Sequence, residues 1–130
     1  MHITDYRDVP AKVEHDLPGV TARWPIREED GAPHFAMRVF DVEHGCNTPL
    51  HSHWWEHEVF VLDGQGYIVV GDERAEIRPG TVVFVPGDAL HQLINTGEDV
   101  LRFICLIPHM WLKGVAEEHG HAPIGELGVC

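Results

Sequence analysis

His51-Ser52-His53-Trp54-Trp55-Glu56-His57 is the stretch on which the reading of this chain turns. If the segment is extended, its three histidines share parity and point to one face, because strand side chains alternate. A fourth histidine, His91, follows the turn-like Pro86-Gly87-Asp88 and opens a later apolar run. Four imidazoles converging from two strands can hold one divalent transition metal. The chain has 11 histidines, so some clustering is expected by chance. Three of one parity within seven residues, with a fourth after a Pro-Gly turn, are harder to dismiss. His2, His15, His44, His119 and His121 read as solvated surface residues.

Outward from that stretch, the sequence from Phe35 to about Ile107 alternates short Val-, Ile- and Phe-rich segments with Gly, Asp and Pro punctuation. This is the signature of strands joined by tight turns. Strands are expected at about 35–43, 57–62, 66–70, 73–78, 81–85, 90–94 and 100–107, with 50–53 also pairing. Asp63-Gly64, Gly71-Asp72, Pro79-Gly80 and Asn95-Thr96-Gly97 supply turns, since Gly and Asn tolerate positive φ. So many short strands at this spacing predict an all-β sandwich or barrel. Residues 1–33 read as an irregular N-terminal arm with a possible short strand at 20–24. Residues 34–108 are the barrel, and 109–130 a tail with a short helix over 109–119, all within a single domain.

Composition narrows the partners. The chain has 130 residues and a formal net charge of -12, which disfavours phosphate backbones and anionic membranes. No apolar run is long enough to span a bilayer. Met1 to Asp8 lacks the apolar stretch of a secretory leader. The three cysteines, Cys46, Cys105 and Cys130, are odd in number and widely spaced. They fit free thiols in a reducing, cytoplasmic setting better than a disulfide framework.

Residues 45–64 and 80–95 resemble the two motifs of the cupin superfamily. The first motif runs Gly, five residues, His-x-His, three or four residues, Glu, six residues, Gly. Here it reads Gly45, His51-Ser52-His53, His57 and Gly64, so His57 stands where the family has Glu. Placing Glu58 there instead would leave Gly64 one residue short, and Glu58 has the wrong parity unless a β-bulge intervenes. The second motif reads Gly80, Pro86, Asp88 in place of the usual Gly, His91 and Asn95, with Gly87 expected to supply the turn. His-Ser-His-x-Trp-Glu-His-Glu and Phe103-Ile104-Cys105-Leu106-Ile107-Pro108 are similar to small bacterial cupins with an all-histidine manganese site.

The resemblance implies a double-stranded β-helix, or jelly-roll barrel, with the metal inside and a homodimer outside. It implies His51, His53, His57 and His91 as ligands. Manganese is favoured, with iron, nickel, copper or zinc also suited to imidazole. Four neutral ligands leave the full dipositive charge on the ion, which strengthens its pull on a bound carbonyl or water. The expected function is a small-molecule dioxygenase-like oxidoreductase. The alternatives are a Lewis-acid isomerase or a non-catalytic module that binds a small ligand or metal.

Parity on the strand 100–107 turns Phe103, Cys105 and Ile107 inward, opposite to Arg102. Cys105 reads first as a small core residue. Arg38 is a possible anchor for a substrate carboxylate, although an exposed or ion-paired arginine is the simpler reading. Trp54 or Trp55 is a possible rim of the pocket mouth. The pairs Glu28-Glu29 and Glu117-Glu118 read as solvated surface.

Overall fold

The computed structural model describes residues 1–114. Nine strands are present among them: β1 (Lys12–Val13), β2 (Val20–Ile26), β3 (Phe35–Val42), β4 (His57–Asp63), β5 (Gly66–Val70), β6 (Glu73–Ile77), β7 (Val82–Val85), β8 (His91–Asn95) and β9 (Leu101–Pro108). They form two antiparallel sheets, one ordered β1-β2-β3-β9-β4-β7 and the other β6-β5-β8. This is the all-β barrel expected from the strand pattern, in the jelly-roll form that the cupin resemblance implies.

The sheet register follows from hydrophobic alternation. On β9, Leu101, Phe103, Cys105 and Ile107 are buried while the residues between them are half-exposed. On β4 the inward set is His57, Val59 and Val61. β3 and β9 pair over their whole lengths, Phe35 with Pro108 through to Val42 with Leu101. A one-residue slip would turn every one of these core side chains to solvent, so the alternation fixes the register. Phe40 and Phe103 stack in the centre with ring centroids 5.2 Å apart.

The arm is less irregular than its prolines implied. β2 runs through Pro25 to Ile26 and pairs with β3, with an irregularity between Arg23 and Ile26 that accommodates the proline. Val20 and Ala22 are fully buried, so part of the arm belongs to the core. Over the start of the tail the chain turns at His109, and Leu112–Gly114 is helical. The rest of the expected helix, together with Glu117, Glu118, His119, His121 and Cys130, lies outside the described residues. Among the described residues no helix is long and apolar enough to cross a membrane. Cys46 and Cys105 are free thiols.

Candidate metal centre

The His51–His57 segment is not one unbroken strand. His51 makes a single bridge to His91, the chain bends at Trp54-Trp55, and β4 begins at His57. Both tryptophans are buried, which simple alternation forbids. The bend nevertheless delivers the histidines to one place. His51 N–H donates to His91 O at 3.1 Å and His91 N–H returns the bond to His51 O at 2.9 Å. Thr48 anchors the approach, with its Oγ1 accepting from Leu93 N–H at 2.9 Å.

The turn before β8 depends on a residue other than the expected one. Asp88 has φ 65° and takes the left-handed conformation that Gly87 was expected to supply. Asp is among the few residues that adopt it at modest cost. Gly87 is needed for closeness instead, because a Cβ there would run into the Trp54 carbonyl oxygen. Asp88 N–H donates to His53 O at 2.7 Å, tying this turn to the other histidine segment.

The nitrogen donors of His51, His53 and His91 lie within 4.8 Å of one another. His57 is not one of those three, but its Nε2 is 2.8 Å from His53 Nε2. Its ring centroid is 4.9 Å from that of His91. Two backbone carbonyls set the aim of the rings. His53 Nδ1–H donates to Trp55 O at 2.9 Å and His91 Nδ1–H to Ala89 O at 2.9 Å. Each bond fixes a tautomer whose Nε2 lone pair faces the cluster, the usual outer support of a metal-binding imidazole. Burial, followed by the proximity of His57 and His91, pushes the His53 pKa down from 6.5 to about 3. His53 is therefore neutral, as a ligand must be.

These residues fit a divalent metal. Metal–nitrogen bonds of about 2.0–2.1 Å set at right angles place two donors about 2.8–3.0 Å apart. The His53–His57 separation of 2.8 Å falls on that value. Glu58 is exposed on β4 while its neighbour His57 is buried, and Glu56 is exposed too.

The remaining candidates are distributed unevenly. Arg38 is fully buried rather than exposed, and its Nη2 donates to Cys105 Sγ at 3.2 Å. Its guanidinium lies 5.3 Å from the centre of the Trp24 ring and 4.9 Å from that of Phe40. Cys105 Sγ is also 3.2 Å from His57 Nδ1. Phe103 is a core residue stacked on Phe40. Ile107 is buried one step beyond the Glu58–Leu106 pair, on the β9 neighbour of His57. Trp54 is buried and meets Trp55 edge-on, with centroids 5.8 Å apart.

The alternation rule missed two features. Trp55 stacks on His53, with centroids 3.7 Å apart and planes 4° from parallel, so it braces a site imidazole from behind. Its neighbour Trp54 gave no reason to prefer one over the other. His15 is half-buried and meets His51 edge-on at 5.4 Å, where a solvated residue was expected. It reaches there on a left-handed backbone, φ 60°, followed by Asp16 at φ 54°. No local pattern announces such a conformation.

A cavity of about 680 Å³ opens between the arm, the Arg27–Glu29 turn and the start of the tail. Trp24, Ala36, Met110 and Trp111 give it apolar walls, with Lys12, Glu28 and Glu29 among its charged residues. Ala36 is buried on the face of β3 that carries Arg38. None of His51, His53, His57, His91, Arg38 and Cys105 is among the residues that line it.

Comparison with known proteins agrees with this geometry. Residues 38–107 match the sequence profile of the cupin domain. The polyketide cyclase RemF from Streptomyces resistomycificus is 31% identical, over 83% of this chain and 79% of that one, with a TM-score of 0.77. A putative sugar phosphate isomerase from Acidithiobacillus ferrooxidans is 25% identical, over 79% of this chain and 69% of that one, with a TM-score of 0.64. An uncharacterized protein of Methanocaldococcus jannaschii is 29% identical over 62 residues, 47% of this chain, and the chain spans 50% of that relative's length. With the profile running from β3 to β9 across both histidine segments, the chain belongs to the cupin domain family.

Proposed function

We propose that this chain is a metal-dependent enzyme that closes or rearranges an enolisable polycarbonyl substrate of polyketide type. The observation that carries the reading is the imidazole cluster of His51, His53 and His91, with His57 Nε2 2.8 Å from His53 and the adjacent carboxylates Glu56 and Glu58 turned to solvent. The likeness to a polyketide cyclase supports it. A divalent ion held by these four imidazoles supplies Lewis acidity toward carbonyl and enol oxygens. Manganese is favoured by the sequence resemblance, while iron, nickel, copper and zinc suit the same donors.

The protein's own part is positioning. His53 and His91 are aimed by Trp55 O and Ala89 O, and Trp55 braces His53 through its ring face. The cavity lies within the usual size range for small-molecule sites, and Trp24 and Trp111 offer flat surfaces to a planar substrate. Glu28 and Glu29 are exposed, as expected, and stand at the edge of this cavity.

Dependence on oxygen separates this reading from the dioxygenase one. Manganese-loaded protein is incubated with an aromatic poly-β-ketone under argon and in air. Equal ring closure in both, lost in His57→Ala, supports the proposal. Oxygen uptake matching turnover would establish the oxidoreductase instead. Saturable binding with no conversion would leave a non-catalytic ligand-binding module.

A homodimer forms part of the same proposal. Phe35, Phe60, Val82 and Phe84 are exposed on the outer face of the larger sheet. Phe60 pairs with Val82 and Glu58 with Phe84, so three exposed apolar side chains lie side by side on β4 and β7 with Glu58 at one corner. A second copy of this chain is the occupant that fits a symmetric, self-complementary face.

A further inference from the structure

The histidines of the cluster are not equally enclosed. His53, His57 and His91 are each 1% exposed, whereas His51 is half-buried. Solvent therefore comes nearest to the cluster at His51. His15 stands at that edge. It comes from the turn between β1 and β2 and meets the His51 ring with centroids 5.4 Å apart and planes at 81°. The turn holds it there. Glu14 N–H donates to Val20 O at 2.9 Å and Leu17 N–H to Glu14 O at 3.2 Å. The Glu14 carboxylate accepts from Trp24 Nε1–H at 3.1 Å, and Leu17 packs against the core. Between these anchors the backbone is left-handed at His15 and Asp16, φ 60° and 54°. Non-glycine residues are uncommon in that region, and a glycine at either position would turn the chain more cheaply. Two in succession are a strain that a plain surface turn does not require.

We propose that His15 is a substrate-binding residue of the metal centre, which hydrogen-bonds the carbonyl or enol oxygen of a molecule entering on the His51 side. His15 is not among the residues whose donor atoms converge, so its part is toward the incoming molecule rather than the ion. A neutral imidazole has one donor and one acceptor. It can serve a keto oxygen through its N–H and an enol hydroxyl through its bare nitrogen. An enolisable 1,3-dicarbonyl presents both groups in one molecule, and it is the substrate class that such a residue would select. A phenyl ring would pack against His51 edge-on just as well but could do neither. The inference rests on the metal-dependent reading above.

The test uses the full chain loaded with cobalt(II), whose visible absorption reports ligand entry, and acetylacetone as the probe. Cobalt affinity is measured first, by chelator competition, in wild type, His15→Phe and His15→Asn. Phe keeps a ring against His51 and cannot hydrogen-bond, whereas Asn hydrogen-bonds and tolerates the left-handed backbone. The expected result is equal cobalt affinity in all three proteins. Acetylacetone should bind about tenfold more weakly to His15→Phe, the effect of one lost hydrogen bond, and within about threefold of wild type to His15→Asn. Should circular dichroism show His15→Phe misfolded, His15→Ala takes its place with the same expectation. Unchanged acetylacetone binding in the variant that cannot hydrogen-bond overturns the inference and leaves the metal reading standing. Cobalt lost from His15→Asn but kept by His15→Phe overturns it too, by making His15 a brace for His51. A wild type that takes up no cobalt sinks the metal-dependent reading and this inference with it.

Discussion

Acidifying the metal-free protein should weaken its fold through His53, by an amount that follows from burial. In the unfolded chain this imidazole takes up a proton below its ordinary pKa of 6.5, whereas in the fold it resists until about 3. Below about pH 6.5 the unfolded state therefore binds one more proton at this site than the native state, so unfolding becomes easier as pH falls. The contribution is absent above that pH and stops growing once the native imidazole also charges. Each pH unit in the window costs about 1.4 kcal/mol, hence about 2.7 kcal/mol between about pH 6.5 and about pH 4.5. The window lies above the ordinary carboxylate range, so Asp and Glu contribute little slope there. Urea unfolding in the presence of a chelator, at several pH values, would measure it. Wild type should lose about 1.4 kcal/mol per pH unit more than His53→Asn, whatever the starting stability of the variant. Equal slopes in the two proteins would refute the claim that His53 is held neutral by burial among imidazoles.

Three further outcomes are expected. Trp55→Ala removes a fully buried ring stacked on His53, and should cost about 3–5 kcal/mol in urea unfolding while weakening metal binding. Asp88→Val should destabilise by about 1–3 kcal/mol, since a β-branched residue is strained at φ 65°, whereas Asp88→Gly should be tolerated; thermal melts of both variants would show this. Phe60→Glu with Phe84→Glu should convert a dimer into a monomer by light scattering while leaving the circular dichroism spectrum unchanged. A monomeric wild type would dispose of the dimer proposal.

The strands were legible because side-chain alternation and turn residues are local. The expected run 66–70 coincides with β5, and the ends of β4, β8 and β9 differ by about one residue from those read off the sequence. That His57 faces inward and Glu58 outward was legible for the same reason, since both lie on β4 and one face of it is buried. Alternation failed where the backbone bends. It could not reveal that consecutive Trp54 and Trp55 are both buried, or that Trp55 braces His53. Arg38 shows another limit. Its charge argued for the surface, yet it shares the buried face of β3 with Ala36 and Phe40. Burial prevailed because Cys105, Trp24 and Phe40 supply a sulfur acceptor and two ring faces around the guanidinium. His15 reaches His51 through two left-handed residues, and no sequence period encodes that.

The bridges Asn47–Ile94 and His51–His91 are isolated pairs, not ladders. His57 belongs to the larger sheet, His91 to the smaller one, and His51 and His53 to the connection laid against it. An ion gripped by all four would act as a rivet through the two halves of the sandwich, closing a long loop of chain much as a cross-link does. Slow exchange of buried amides on β8, present with metal and lost on chelation while β3 and β9 stay protected, would be the sign of a seam that opens when the rivet is drawn.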